Sequence, residues 1–256
     1  MVKNQETQDI LRQSEEAHRD LEFFIDLLTH DVPSQTMITY SCLEELKSVI
    51  DEQDEDSQFF LQTAFQSLLR AQMVLDQVKL LSEVKNLQNG DYTPIDLCGV
   101  VNRSITSIIG MFPHEKIKIN TSFPKKHCFV QGTTILDNCV INLLQNAVLA
   151  DKNPIKVVDI IVSDIQESDQ WKIDVIDRGE GIPDSKKEKI FKRFFRVRSE
   201  KRGSGLGLHI VKTILKKLGG EISVSNRVLD DYTQGTRFEI LLPKIEITDF
   251  PTSLEA

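Results

Sequence analysis

No run of 18 or more apolar residues occurs in the 256-residue chain, and Met1 to Arg19 is too polar for a secretory leader, so this segment itself is expected to make no membrane contact. Cysteine is scarce. Cys42, Cys98, Cys128 and Cys139 lie far apart with no C-x-x-C pair, which fits reduced thiols in a cytosolic setting better than a disulfide or zinc framework. Basic charge is in deficit: a net charge of −8 argues against a general nucleic-acid binder, and no nucleic-acid partner is expected. Glycine is missing from Asn4 to Ile50, where its absence favours uninterrupted helix. Hydrophobic residues at 40% and charged residues at 27% describe an ordinary globular chain with room for one or two domains.

Within the glycine-free stretch, Leu21, Ile25, Leu28, Val32, Thr39, Cys42, Leu46 and Val49 recur in steps of three and four, with one gap at Gln35. That spacing predicts a helix with a coiled-coil-like seam. Residues 51–56 are all acidic or Gln and read as a solvated turn. A second helical run follows through Phe60, Ala64, Leu68, Ala71, Leu75, Val78 and Leu80 or Leu81, and Asn89-Gly90 ends it. A two-helix hairpin leaves apolar surface on each helix, so two hairpins are expected to pair as a homodimeric four-helix bundle.

Past Pro94 the pattern changes to short β-like runs, including Lys116 to Asn120, Val157 to Val162, Trp171 to Ile176, Ile222 to Ser225 and Thr236 to Leu242, with helical stretches between them. The expected fold class is α+β: the dimeric hairpin followed by an α/β sandwich. The expected divisions are a linker helix over 1–20, a dimerisation unit over 21–90, a sandwich domain over 91–247 and a tail over 248–256.

Three polar signals stand in order inside the sandwich region: Asn142-Leu-Leu-Gln-Asn146-Ala147, Asp177-Arg-Gly179-Glu-Gly181 and Gly203-Ser-Gly205-Leu-Gly207. Each alone has an ordinary reading as a cap or turn. Together they read as one nucleotide pocket. Asn142 and Asn146 are one helical turn apart, and a carboxamide oxygen is a neutral hard ligand suited to Mg²⁺ that also carries phosphate oxygens and water. Asp177 closes a strand-like run, where a carboxylate can accept from an exocyclic amine and so tell adenine from guanine, with Gly179 and Gly181 letting the backbone come close. Gly203, Gly205 and Gly207 open the helical run from Leu208, where free N–H groups and the helix dipole suit phosphate. Nine lysines and arginines against three acidic residues between Pro183 and Gly203 suit a lid over a triphosphate.

These signals resemble the N, G1 and G2 boxes of sensor histidine kinases, in that family's order. Ile190-Phe191-Lys-Arg193-Phe194-Phe195-Arg196 resembles its F box, and Gly235-Thr236-Arg-Phe238 its closing G3 signal. The resemblance implies a Bergerat-type ATP-binding fold, Mg²⁺ held by Asn146, adenine read by Asp177, Thr236 at the nucleotide, and Arg193 or Arg196 at the γ-phosphate. Phe191, Phe194 and Phe195 would anchor the lid or belong to the core. Lysine and an aromatic often follow the second asparagine at three and four residues in the family; Leu149 and Ala150 stand there, so a phosphate contact is missing or supplied by Lys152.

His30-Asp31 on the first helix of the hairpin supplies an acceptor. In the register of Ile25, Leu28 and Val32, His30 faces outward, and beside such an ATP domain it is the expected phosphoacceptor, with Asp31 orienting its ring proton. Hydrolytic members of the wider superfamily carry glutamate four residues before the metal-binding asparagine; Asn142 stands there, which favours phosphotransfer. His30-Asp31-Val-Pro-Ser34-Gln35 matches the H-D-x-x-x-Q form of one subfamily, whose glutamine is linked to dephosphorylating the partner, whereas the F and G2 boxes resemble another. Gln35 or Ser34 is then the residue that positions water. Pro33 removes a helical N–H and is expected to loosen the helix beside His30.

The implied function is an autokinase that phosphorylates its own histidine and passes the group to an aspartate on a response-regulator receiver domain. Its setting would be cytoplasmic, either free or as the cytoplasmic part of a membrane sensor. The alternatives are an ATP-binding scaffold without kinase activity and a gyrase- or Hsp90-type ATPase.

Overall fold

A computed structural model describes residues 32–50, 54–87, 92–112, 115–124, 127–197 and 205–245. The chain divides into two compact units between Lys85 and Asn86. No helix among the described residues is long and apolar enough to cross a membrane.

In the first unit, helix α1 occupies 32–49 and helix α2 is Glu55–Asn86. The acidic connection does more than stay wet. Asp54 accepts from the Ser57 amide at 3.2 Å, a carboxylate N-cap at the positive end of α2. The helices run antiparallel: the Thr36 hydroxyl lies 2.8 Å from Gln72 Oε1, and Tyr40 meets Phe65 edge-on at 5.2 Å. The contact face therefore differs from the seam read in the sequence. Thr36 and Leu43 are half-buried while Thr39, Cys42, Leu46 and Val49 are exposed. On α2, Leu61, Leu75, Leu80 and Val84 are buried, whereas Phe60, expected in the stripe, is 68% exposed. Periodicity locates an apolar stripe but cannot say whether the sister helix or another chain covers it. The expected loosening at Pro33 involves Thr29, outside the described residues.

The second unit is a two-layer α/β sandwich. A five-stranded sheet runs in the order β2 (Lys116–Ser122), β4 (Ile155–Ile165), β5 (Gln170–Ile176), β7 (Asp231–Pro243), β6 (Glu221–Val228). Among the described residues only β2 and β4 pair in parallel, which demands the long crossover that carries α4 (Ile135–Ala150). Alternate β4 residues Val158, Ile160 and Val162 are buried, joined by Ile173 and Val175 of β5 and Phe238, Ile240 and Leu242 of β7. They share the core with α3 (Leu97–Met111), α4 and α6 (Gly207–Lys217), and α4 packs on both α3 and α6. Charged pairs mark the other side of the sheet: Arg237 grips Asp174 through two bonds of 2.8 and 2.9 Å, and Arg178 reaches Asp159 at 2.9 Å.

A second sheet pairs β1 (Thr93–Asp96) with β3 (Phe129–Gly132). Neither strand was anticipated, since four residues carry too little pattern. Two cysteines distant in sequence meet at this sheet: the Cys98 and Cys128 sulfurs lie 3.7 Å apart, both as free thiols. Burial pushes the Cys98 thiol up, so it stays protonated at neutral pH. Asp96 beside them is engaged as the N-cap of α3, accepting from the amides of Cys98, Gly99 and Cys128 at 3.2–3.3 Å.

Candidate functional site

Asp177 is the fixed point of the site. It follows directly on β5 and is 4% exposed. One carboxylate oxygen accepts from the Gly179 amide at 2.8 Å and the Thr236 amide at 3.1 Å, while the Asp177 amide donates back to the Thr236 carbonyl at 2.9 Å. Burial pushes its carboxyl above the usual carboxylate range, against the downward pull of these N–H groups and of the Thr236 hydroxyl; the nearby Asp151 adds to the rise. The sequence placed Asp177, Gly179 and Thr236 in one site, and these three are in direct contact.

The glycines are needed for the packing of the loop itself. A Cβ on Gly179 would lie 2.7 Å from Ala150 Cβ, and one on Gly181, at φ +66°, would fall 1.5 Å from the Tyr232 carbonyl oxygen. Both are required for the loop to close against the end of α4 and the start of β7, before any ring is considered. The seat against Ala150 brings the loop to the helix that carries the two asparagines. Asn142 is buried with its Nδ2 donating to the Asn138 carbonyl at 2.8 Å, which leaves its carboxamide oxygen as the acceptor; Asn146, one turn on, is half-buried.

Lys152, one of the two alternatives for that phosphate contact, pairs with Glu180 inside the second signal. Lys186 and Lys187 of the basic stretch are also engaged, with the Val197 carbonyl and with Asp184 and Asn226. Of the expected anchors, Phe191 is buried and Phe195 half-buried, while Phe194 is 70% exposed at φ +59°. The Phe194 amide donates to the Gly205 carbonyl at 3.0 Å, which ties the F-box segment to the third glycine signal. Arg193 and Arg196 are both exposed. Arg193 Nε donates to His209 Nε2 at 2.9 Å. Sequence reasoning missed His209, because a polar residue in the first turn of an amphipathic helix carries no pattern of its own.

Gly207 begins α6, whose buried face is Ile210, Val211, Ile214 and Leu215 and whose last turn carries Lys216 and Lys217 at the negative end of the dipole. Leu206 at its N-cap has no side-chain oxygen, so no such cap competes with an anion for the first amides. His30, Asp31 and Gly203 lie outside the described residues. Ser34 and Gln35 are exposed on α1.

Comparison with known proteins agrees with this geometry. Residues 132–246 match the family described as histidine kinase-, DNA gyrase B-, and HSP90-like ATPase. Histidine protein kinase SaeS of Staphylococcus aureus is 29% identical over 235 residues, covering 88% of this chain and 64% of its own, so the chain spans under two thirds of that relative. The solved mycobacterial sensor histidine kinase MprB superposes with a TM-score of 0.52 at 27% identity, over 61% of this chain and 99% of its own. The Acinetobacter baumannii histidine kinase AdeS, at 21% identity and a TM-score of 0.53, covers 84% of this chain and 97% of its own and shares the fold. Residues 132–246 therefore resemble the ATP-binding domain that this family describes, and the relatives of similar sequence are histidine kinases.

Proposed function

We propose that the chain is an ATP-dependent protein-histidine autokinase that phosphorylates His30 and passes the phosphoryl group to an aspartate of a response-regulator receiver domain. The observation that carries the ATP half is the Asp177 clamp: a buried carboxylate held by two backbone amides is an oriented acceptor for the adenine amine. Asn146, with Asn142 beside it, offers neutral carboxamide oxygens, a donor set that fits Mg²⁺ bound together with phosphate oxygens, where the ion supplies charge neutralisation.

A neutral imidazole nitrogen of His30 attacks the γ-phosphorus in line, the bond to the bridging oxygen breaks, and ADP leaves. Asp31 takes or orients the other ring proton, and Arg193 or Arg196 stabilises charge on the transferring group. Asn142, which cannot act as a base, stands where a water-activating glutamate would favour hydrolysis. Gln35, or Ser34, positions water for dephosphorylating the partner; both are exposed on α1.

The same reading assigns the exposed apolar residues of the hairpin to a homodimeric four-helix bundle. Met37, Ile38, Val49, Phe59 and Phe60 are all more than half exposed in the single chain.

Incubation with γ-labelled ATP tests the proposal. Acid-labile, base-stable label that disappears in His30→Gln supports the autokinase. Nucleotide binding without label supports a scaffold, and steady phosphate release with no phosphoenzyme supports an ATPase.

A further inference from the structure

Arg193 is exposed, so packing does not decide where its guanidinium points. One side chain does. His209 Nε2 accepts from Arg193 Nε at 2.9 Å, and His209 Nδ1 lies 3.2 Å from the Phe191 carbonyl oxygen. Only one form of the ring satisfies both contacts: the neutral imidazole with its proton on Nδ1, donating to Phe191 and presenting the Nε2 lone pair to Arg193.

The frame behind this contact is firm. His209 lies in the first turn of α6, two residues after Gly207, and its carbonyl accepts from the Thr213 hydroxyl at 2.8 Å. Phe191 is buried with the Lys212 ammonium 5.5 Å from its ring centroid, and Phe194 is bonded to Gly205. The segment bearing Arg193 is thus fastened on both sides of that residue to the elements that carry the third glycine signal.

A guanidinium has five N–H donors in one plane. Using Nε on His209 fixes that plane and leaves the two terminal nitrogens to grip an anion side by side. We infer that His209 is a positioning residue that aims the Arg193 fork at the terminal phosphate of ATP. The inference rests on the phosphate role proposed for Arg193. It selects Arg193 over Arg196 for that role and gives His209, which carries no box assignment, a part in telling ATP from ADP.

The test uses the full chain and measures dissociation constants for ATP and ADP, with autophosphorylation rates, in H209L, H209Q, R193A and the H209L/R193A pair. H209L is expected to reduce the preference for ATP over ADP by about tenfold, the scale of one charge-assisted hydrogen bond, while ADP affinity stays level and reports an intact fold. H209Q should recover most of the preference, because its carboxamide oxygen can accept from Arg193 Nε where leucine cannot. H209L should add nothing in the R193A background.

Equal losses for ATP and ADP, a glutamine variant as weak as leucine, or independent effects in the double variant would each overturn the inference while leaving the autokinase intact. An R193A protein that still prefers ATP as the wild type does overturns the role of Arg193 and the inference together. Loss of label in His30→Gln remains a separate readout, so failure of the autokinase reading is recognised by itself.

Discussion

The hairpin and the sandwich treat their large apolar side chains in opposite ways. In the sandwich, three helices and the inner sheet face enclose Leu97, Ile108, Leu143, Leu144, Ile160, Ile173, Ile214 and Ile240 completely. In the hairpin, two helices can cover one stripe each, and Val49, Phe59 and Phe60 remain at 64–76% exposure. A domain with a closed core can hold a site to within a few tenths of an ångström, as the hydrogen bonds around Asp177 require. A hairpin with an open face has apolar surface left for the proposed association. The proposed phosphoryl donor site therefore lies in the unit with the closed core, and the proposed acceptor in the unit with the open face.

Separating the two units is the harshest way to break this contrast. Residues 86–256 alone should unfold cooperatively, sediment as a monomer and bind an ATP analogue within about twofold of the full chain, yet take up no label, because the proposed acceptor is absent. A catalytic unit that loses its nucleotide affinity when separated would show that the contrast is wrong.

The next effect in size is on the hairpin alone. Phe60→Glu puts a charge on the exposed face twice per proposed dimer. At about 2 kcal/mol lost for each buried phenyl group, dissociation should become easier by about a thousandfold, with little change in ATP affinity. Sedimentation equilibrium measures the first quantity and calorimetry the second. A variant that dimerises as before would move the interface elsewhere.

Within the sandwich, Asp177→Asn exchanges an acceptor for a group that must partly donate. The amides of Gly179 and Thr236 can still be satisfied by the remaining carbonyl oxygen, so the fold should hold, but the charged acceptor for adenine is gone. ATP should bind about thirtyfold more weakly, the loss of about 2 kcal/mol that one hydrogen bond to a charged group contributes. An unchanged affinity would remove Asp177 from base recognition.

How much of this was legible varied with length and repetition. Helix α6 was read from four core residues at regular spacing, and β5 from a continuous β-rich run ending on Asp177. The nucleotide site was legible because three signals agree. Strands β1 and β3 were not, since Thr93–Asp96 and Phe129–Gly132 are too short to show a period and become strands only by pairing with each other. Nor could the spacing of Thr39, Cys42, Leu46 and Val49 reveal that these residues face away from α2. The approach of Cys98 to Cys128, and of Arg193 to His209, is tertiary throughout. The packing role of Gly179 and Gly181 was not legible either: only the fold shows that Ala150 and the Tyr232 carbonyl occupy the space where a Cβ would go.

The smallest effect is also the most diagnostic of how Asp177 is held. Its carboxyl titrates above the ordinary carboxylate range because burial penalises the charge more than the two amides relieve it. The folded-state value is thus raised above the unfolded one. The stabilisation linked to this group is fully present below the unfolded pKa and is lost as pH rises through the folded value, so at neutral pH the ionised carboxylate works against the fold. Reading adenine needs that ionised form. Wild-type stability relative to Asp177→Asn should therefore fall as pH rises from the ordinary carboxylate range through the folded value, while ATP affinity relative to the same variant rises over the same window. Thermal melts and calorimetric titrations of both proteins from acid to neutral pH give the two slopes. Opposite signs fit a carboxylate kept charged against its own burial to serve a ligand; parallel slopes, or none, would mean that Asp177 is held by the protein and not by the nucleotide.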